Sequence, residues 1–227
     1  MKSELIVEKR PKSTISEDIR TIRTNLEFSL VDDAKTIMIT SSVPGEGKSF
    51  ISANLAVAFA QNEERVLIVD CDLRKGRQKK IFEITERKSG GFSSLLINKN
   101  WEEEYKKYVR KTKVDNLYII PSGPFPPNPS ELLSSERCKK TLEKLKTKFD
   151  IIILDCPPLV GLNDTLVISS YADISIIVAR HKKTPMDLLE KSKKSLETVG
   201  AKKLSVILNQ IDTKVNPYYY GHYYRDK

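Results

Sequence analysis

Six short runs of apolar residues alternate with stretches of helical periodicity along most of this chain. The runs are residues 36–40, 65–70, 116–121, 150–155, 173–179 and 204–209. Each run is continuous rather than interrupted at every second position, which is typical of parallel strands that are covered on both faces. We therefore predict a single α/β domain with a doubly wound, mostly parallel sheet and helices on both of its faces.

The segment SSVPGEGKS, residues 41–49, lies between the first apolar run and a helical stretch. A loop of this kind is typical of the P-loop NTPases, in which backbone N–H groups hold a β-phosphate. Lys48 would neutralise β- and γ-phosphate charge and Ser49 would ligate Mg²⁺, although Ser42 replaces the usual first glycine. We expect ATP or GTP as the ligand, bound by Ser42, Val43, Pro44, Gly45, Glu46, Gly47, Lys48, Ser49 and Phe50.

Polar residues follow three of the other apolar runs. Asp70 and Asp72 end the second run, where their spacing places both side chains on one side of an extended chain, and Asp155 ends the fourth. Because ligands of open α/β sheets bind at the carboxyl ends of the strands, we expect the three carboxylates beside the γ-phosphate. Two would hold Mg²⁺ and the third would accept a proton from an attacking hydroxyl; the alternative is helix caps or surface ion pairs. Asn209 ends the last run and would either hydrogen-bond a nucleotide base or cap a loop.

The charge balance favours anionic partners. The 227 residues include 39 Lys and Arg against 30 Asp and Glu, a net charge of +9, which suits nucleotide, nucleic acid, acidic lipid headgroups or acidic protein, or forms a basic but inert surface. The three cysteines, Cys71, Cys138 and Cys156, are widely spaced, so we expect neither a disulfide framework nor a zinc site. No apolar run approaches the length of a transmembrane helix and the first residues do not resemble a signal peptide, so we expect a cytoplasmic location.

An amphipathic helix is predicted near the start of the chain. Residues 1–14 are interpreted as an arm, followed by a main domain over residues 15–215. Apolar residues recur at helical spacing after the arm, at Ile15, Ile19, Ile22, Leu26 and Leu30. On the helix surface Glu17 and Arg20 point away from this stripe, and Arg23 lies on its flank.

In this combination of motifs the chain resembles the bacterial tyrosine kinases of capsular and exopolysaccharide synthesis. Residues 42–49 resemble that family's Walker A motif, LIVDCDLRK its Walker A′ motif and IIILDCPP its Walker B motif. The segment SGPFPPNPSELL is similar to its proline-rich loop, and the series Glu17, Arg20, Arg23 is similar to its subunit-contact motif. The resemblance covers nearly the whole chain.

The resemblance implies a fuller biochemical picture. It implies ATP as phosphoryl donor, protein tyrosine as acceptor and a ring-forming homo-oligomer, with Glu17, Arg20 and Arg23 at the subunit contact. It also implies a separate membrane-spanning activator of the chain-length-regulator type, a cognate phosphotyrosine phosphatase and recruitment to the inner face of the cell membrane. No nucleic acid partner is expected.

The last segment, NPYYYGHYYRDK, residues 216–227, is similar to the family's C-terminal tyrosine cluster. Asn, Pro and Gly within it discourage a helix, so we expect an extended or coiled tail. We predict that the tail tyrosines are the enzyme's own substrates, phosphorylated by a neighbouring subunit: Tyr218, Tyr219, Tyr220, Tyr223 and Tyr224. In this hypothesis Asp70 is the base, and Asp72 and Asp155 hold Mg²⁺. The alternative is an aromatic strip that docks on the protein or at a membrane interface.

Two other classes of protein share parts of this pattern. Partition and positioning ATPases of the ParA and MinD type have a similar sheet and similar acidic motifs, and act as nucleotide-switched dimers. Their phosphate loop carries a lysine five positions before Lys48, whereas Val43 occupies that position here, which argues against such a switch. A nucleotide-binding scaffold without catalysis is the third alternative, and the intact Lys48, Ser49 and three acids make it the weakest.

Overall fold

The computed structural model of the protein describes residues 4–30, 35–85 and 90–211, and the tail tyrosines lie outside these ranges. The strands are β1 (Thr36–Ser41), β2 (Val66–Asp70), β3 (Arg110–Lys111), β4 (Leu117–Ile120), β5 (Ile151–Asp155), β6 (Ile174–Arg180) and β7 (Leu204–Asn209). The helices are α1 (Ile6–Lys9), α2 (Thr14–Ser29), α3 (Lys48–Ala60), α4 (Gln78–Ile81), α5 (Phe92–Ile97), α6 (Trp101–Glu104), α7 (Pro129–Leu133), α8 (Glu136–Lys146), α9 (Asp164–Ser169) and α10 (Met186–Thr198).

The described strands form one sheet in the order β3-β4-β2-β5-β1-β6-β7. Every neighbouring pair is parallel except β3 with β4, which is antiparallel. All six predicted strands are present, and the doubly wound fold is confirmed. Strand β3 was not predicted, because a pair of basic residues carries no apolar signal.

Helices cover both faces of the sheet, as predicted. In β1, Ile37 and Ile39 pack in the cluster that includes α3, whereas Met38 lies in the cluster on the opposite face with α5 and α8. Helix α3 is buried along nearly its whole length, because it lies between the sheet and α2. Because these strands are parallel, their carboxyl ends lie together on one side of the domain, where β1 leads into α3.

The first described residues pack onto α3. The Val7 side chain is fully buried and its N–H donates to Asn54 Oδ1 at 3.0 Å, while Asn54 Nδ2 donates to the carbonyl oxygen of Glu4 at 2.8 Å. The apolar stripe expected on α2 is wrong at Ile15, which is 48% exposed. At that turn Ser16 takes the buried position, since its hydroxyl donates to the carbonyl of Arg10 at 2.7 Å.

Among the described residues, no helix has both the length and the apolar character needed to cross a membrane.

Candidate active site

The loop between β1 and α3 has the backbone shape of a phosphate cradle. Gly45 and Gly47 adopt φ values of 87° and 95°, in the left-handed region that side chains disfavour. A Cβ atom at Gly47 would lie 2.2 Å from Asn209 Nδ2, so the loop also needs glycine there for space. Helix α3 begins at Lys48, and the first N–H groups of a helix have no partners within it. The loop and this helix end therefore present a positive backbone dipole suited to phosphate.

Lys48 extends from this loop into a group of carboxylates. Its Nζ lies 3.4 Å from Asp72 Oδ2 and 3.6 Å from Asp155 Oδ1, and it donates to Ser49 Oγ at 3.2 Å. Burial by itself would lower the pKa of Lys48, but the negative charges of Asp155, Asp72 and Asp70 raise it above its ordinary value. The side chain therefore remains a cation in a nearly enclosed site.

The three predicted carboxylates lie together at the ends of two adjacent strands. Asp70 and Asp155 are paired in the register between β2 and β5, and both are fully buried. Asp72 lies two residues beyond the end of β2 and is the member of the three that lines the adjacent cavity. Burial first, and then the charge of Asp155, raises the pKa of Asp70 well above its ordinary value.

Asp70 is shielded from the cavity by backbone contacts. Its Oδ2 accepts a hydrogen bond from the N–H of Gln78 at 3.0 Å, and its Oδ1 accepts from the N–H of Asp72 at 3.3 Å. Asp70 is absent from the lining of the cavity, whereas Asp72 is part of it.

Gln78 is a site residue that the sequence did not reveal. Its side-chain Nε2 donates to Asp155 Oδ2 at 2.7 Å and to the carbonyl of Ser49 at 3.0 Å, so the buried amide joins the end of β5 to the start of α3, while the backbone N–H of the same residue bonds Asp70. Its Oε1 has no hydrogen-bond donor among the described residues. No motif marks this glutamine, and only the return of its segment towards β2 brings it to the acids.

Three residues predicted to bind nucleotide also make side-chain contacts that shape the loop. Asn209 Nδ2 donates to the carbonyl of Glu46 at 2.9 Å, a contact of the loop-capping kind, and its hydrogen bond to a nucleotide base stays a prediction. The Glu46 carboxylate is buried, accepts from the N–H of Val43 at 3.1 Å, and also accepts from the Thr184 hydroxyl. Ser42 is fully buried as well, with its hydroxyl 2.9 Å from that of Ser192.

Two cavities meet at Gly47 and Phe50. One, of about 440 Å³, is lined by Lys48, Ser49 and Asp72, and also by further basic residues, prolines and aliphatic residues. The second, of about 600 Å³, is bounded by Asn209 and largely by isoleucines of α2, α3 and the end of β7. The first suits a triphosphate and an approaching acceptor group, and the second suits the apolar faces of a nucleotide base.

The side chains around Lys48 fit a magnesium ion that also binds phosphate. No set of three or more His, Cys, Asp or Glu side chains in the described ranges is arranged to hold a metal ion by itself. Mg²⁺ is usually held by one or two carboxylates together with waters and substrate phosphates. The predicted ligands Ser49, Asp72 and Asp155 all lie within 3.6 Å of Lys48 Nζ, so they are positioned to hold a metal ion beside the phosphates that Lys48 would contact.

The three residues predicted at a subunit contact have neighbours within this chain. Arg20 pairs with Glu17 and donates to the carbonyl of Pro11 at 2.8 Å. Arg23 donates to the carbonyl of Ala58 at 3.3 Å, and only 18% of its side chain is exposed. Glu17 and Arg20 are thus at the surface, whereas Arg23 also attaches α2 to α3.

Comparisons with known proteins show the family to which the chain belongs. The family described as AAA domain matches residues 34–210. Tyrosine-protein kinase YwqD of Bacillus subtilis is 40% identical over 210 residues, which are 92% of this chain and 86% of that protein. The chimerical protein CapA2B2 has a solved structure with a TM-score of 0.84 and 37% identity, covering 92% of this chain and 91% of that one. The kinase domain of the Escherichia coli tyrosine kinase ETK gives a TM-score of 0.83 at 29% identity, with 92% and 82% covered.

A more distant likeness extends to a cell division protein complex. The MinC:MinD complex of Aquifex aeolicus gives a TM-score of 0.68 at 24% identity, covering 81% of this chain and 72% of that one. At this identity the likeness concerns the fold alone.

Proposed function

The chain contains an AAA domain and belongs to the bacterial tyrosine-protein kinases, and on this basis we propose that it phosphorylates the tyrosines of its own tail. The transfer occurs in trans, between subunits of a ring-shaped homo-oligomer, and regulates capsular or exopolysaccharide synthesis and export. The observation that supports the chemistry most directly is the Lys48 ammonium, held among Asp70, Asp72 and Asp155 beside an open cavity. That arrangement combines phosphate binding with acid–base groups.

Phosphoryl transfer requires mainly positioning and charge stabilisation. Lys48 contacts the β- and γ-phosphates of ATP, and the loop N–H groups orient them. When bound, Mg²⁺ neutralises phosphate charge, and Ser49, Asp72 and Asp155 are the residues that would hold it. The tyrosine oxygen bonds to the γ-phosphorus as the bond to the β–γ bridging oxygen breaks, so ADP leaves with that oxygen.

A carboxylate must receive the phenolic proton, because tyrosine has a pKa near 10 and is a poor nucleophile at neutral pH. We assign this role to Asp70. Its raised pKa makes it a stronger proton acceptor than an ordinary aspartate, because burial and the charge of Asp155 favour its protonated form. Comparison of Asp70→Asn with Asp72→Asn tests the assignment: a loss of rate confined to Asp72→Asn would move the base to Asp72, the acid of the three that lines the cavity.

Phosphorylation would change the charge of the assembly. Each phosphotyrosine adds about −1.5 to −2 charges at pH 7, so five tail phosphates add roughly −7 to −10. The chain as a whole carries +9. A phosphorylated tail is repelled by the acids and the nucleotide of a neighbouring site, so it leaves and the ring loosens.

The partners in this proposal follow from the family. They are a membrane-spanning activator of the chain-length-regulator type, protein tyrosine substrates and a cognate phosphotyrosine phosphatase, and the activator recruits the kinase to the inner face of the membrane. A nucleotide-switched positioning ATPase is the less supported function, since Val43 stands where that class has lysine and the likeness to MinD is one of fold.

Transfer in trans is tested by mixing two variants. One chain carries Lys48→Met, which removes activity, and the other has phenylalanine at all five tail tyrosines. With labelled ATP we expect label on the tail of the Lys48→Met chain only in the mixture, and none when either variant is incubated alone. Absence of tail label in both the mixture and the wild type would replace this proposal with the docking interpretation of the tail.

The subunit contact needs a separate test, because Arg23 also stabilises the fold of the single chain. Glu17→Ala with Arg20→Ala should give a smaller species in light scattering, since both residues lie at the surface of α2. The matched control is Lys193→Ala with Glu197→Ala, an exposed ion pair on α10. An unchanged mass distribution would mean that Glu17 and Arg20 only pair with each other within α2.

A further inference from the structure

A further groove lies at the amino ends of the strands, on the side of the sheet opposite to the phosphate loop. It has a volume of about 490 Å³ and is lined by Arg65, Tyr105, Lys106, Val109, Lys111, Tyr118, Lys148 and Phe149. Arg65 immediately precedes β2 and Phe149 lies two residues before β5, whereas Asp70 and Asp155 end those same strands. A strand of this length separates the two edges by roughly 15 Å.

Four of the eight lining residues are cations, and none is an acid. Arg65, Lys106, Lys111 and Lys148 form no ion pair with any described residue. The carboxylate of Asp150, the residue after Phe149, accepts the backbone N–H of Arg65 at 2.8 Å. Like charges that share a concave surface repel one another, and an anionic ligand would remove that repulsion.

The groove also has an aromatic wall. The rings of Tyr118 and Phe149 meet edge to face with centroids 5.6 Å apart. The guanidinium of Arg65 lies over both rings, 5.4 Å from the centroid of Tyr118 and 5.2 Å from that of Phe149. Stacking of this kind holds the guanidinium in place, and a planar guanidinium can bind a phosphate through two parallel hydrogen bonds.

We propose that this groove binds a phosphotyrosine side chain presented by a second copy of the chain. The groove's cations match the phosphate of a phosphotyrosine, which carries nearly two negative charges, and its aromatic wall matches the flat ring. The concave shape and small volume suit one such group rather than the flat surface of a membrane. It is also the chemical group that a tyrosine kinase makes, so the groove would retain product away from the catalytic acids.

The test measures binding of synthetic peptides to the full-length, dephosphorylated protein without nucleotide. The probe is the peptide of residues 214–227 phosphorylated at Tyr220, compared with its unphosphorylated form and with a phosphoserine version. We expect the phosphotyrosine peptide to bind roughly tenfold or more tightly than the unphosphorylated peptide, with phosphoserine weaker than phosphotyrosine. Equal binding of all three peptides would overturn the proposal.

Variants assign the binding to the groove. Arg65→Gln with Lys111→Gln should weaken phosphotyrosine binding about tenfold, because two charge-assisted contacts are lost. The matched control, Lys79→Gln with Lys80→Gln, removes the same charge from the exposed surface of α4 and should change binding by less than about twofold. Phosphorylation of an added tyrosine substrate should be the same in both variants, because the groove is remote from Lys48.

Two results would overturn the proposal in distinct ways. Equal losses in the groove variant and the control would mean that binding reflects net charge alone. Loss of binding to phosphatidylserine vesicles in the groove variant, with phosphopeptide binding unchanged, would assign the groove to a membrane surface. The choice of the tail as the source of phosphotyrosine rests on the proposed function; if the wild type never labels its tail but the groove binds the peptide, the groove stands and only the source changes.

Discussion

Replacement of Gly47 by alanine tests the geometry of the phosphate loop. Alanine at the φ of 95° found there costs about 1 to 3 kcal/mol of unfolding free energy. The new Cβ would also lie 2.2 Å from Asn209 Nδ2, so the amide must move and lose its 2.9 Å bond to the carbonyl of Glu46. Loss of such a hydrogen bond costs about 0.5 to 1.5 kcal/mol, and the two effects together give roughly 2 to 4 kcal/mol.

Gly45 supplies the matched control. Its φ is 87°, but a Cβ there has no atom within 4 Å, so Gly45→Ala should show the backbone cost alone. Urea unfolding would be measured for both variants and for each combined with Asn209→Ala. We expect Gly47→Ala to be the more destabilising in the wild-type background and to match Gly45→Ala once Asn209 is truncated. Equal costs in the wild-type background, or no coupling between Gly47 and Asn209, would refute this account of the loop.

Three further predictions concern the charged site. Lys48→Met should abolish phosphoryl transfer and also lower the unfolding free energy at pH 7, because only 12% of the side chain is exposed and its loss leaves buried acids without a counter-charge; self-labelling at the wild-type rate would contradict this. Asp155→Ala should shift activity to higher magnesium concentration, and an unchanged magnesium titration would make Asp155 purely structural. Burial raises the folded pKa of Asp70 above 3.8, so its favourable contribution is complete below that pH and is lost as pH rises through the folded pKa. Unfolding free energies of Asp70→Asn should therefore fall less steeply with pH than those of wild type above about pH 4, and identical slopes would contradict the shift.

The sheet could be predicted from the sequence because its information is local. Each parallel strand is a continuous apolar run, and the glycines and lysine of the phosphate loop occupy consecutive positions between a strand and a helix. Strand β3 could not be predicted, because its pairing with Ile119 and Tyr118 is the only property that makes it a strand. Ile15 fits the helical period but is exposed, because the buried position at that turn belongs to Ser16, whose hydroxyl bonds the carbonyl of Arg10.

The candidate site likewise contains residues that could be predicted from the sequence and residues whose roles depend on the tertiary structure. Asp70 and Asp155 could be placed together because parallel strands end at one edge, a property of the fold class rather than of any side chain. The role of Gln78 depends on a loop that returns to the strand ends, so that its side-chain amide reaches Ser49 and Asp155 and its backbone N–H reaches Asp70. The burial of Lys48 likewise follows from the position of the two acidic strand ends around it, which no local pattern shows.

The net charge of +9 indicated an anionic partner without locating it, and the structure separates its cations into two kinds. Lys48 lies within 3.6 Å of two carboxylates, so its charge is balanced within the protein. The cations around Arg65 have no comparable acid among the residues that line their groove. Because repulsion among these cations is relieved only by a ligand or by salt, an anion should bind the groove more weakly as ionic strength rises. A phosphotyrosine repelled by the catalytic acids of one subunit would therefore bind the basic groove of another subunit. The proposed charge switch would then move the phosphorylated tail from the active site to this groove.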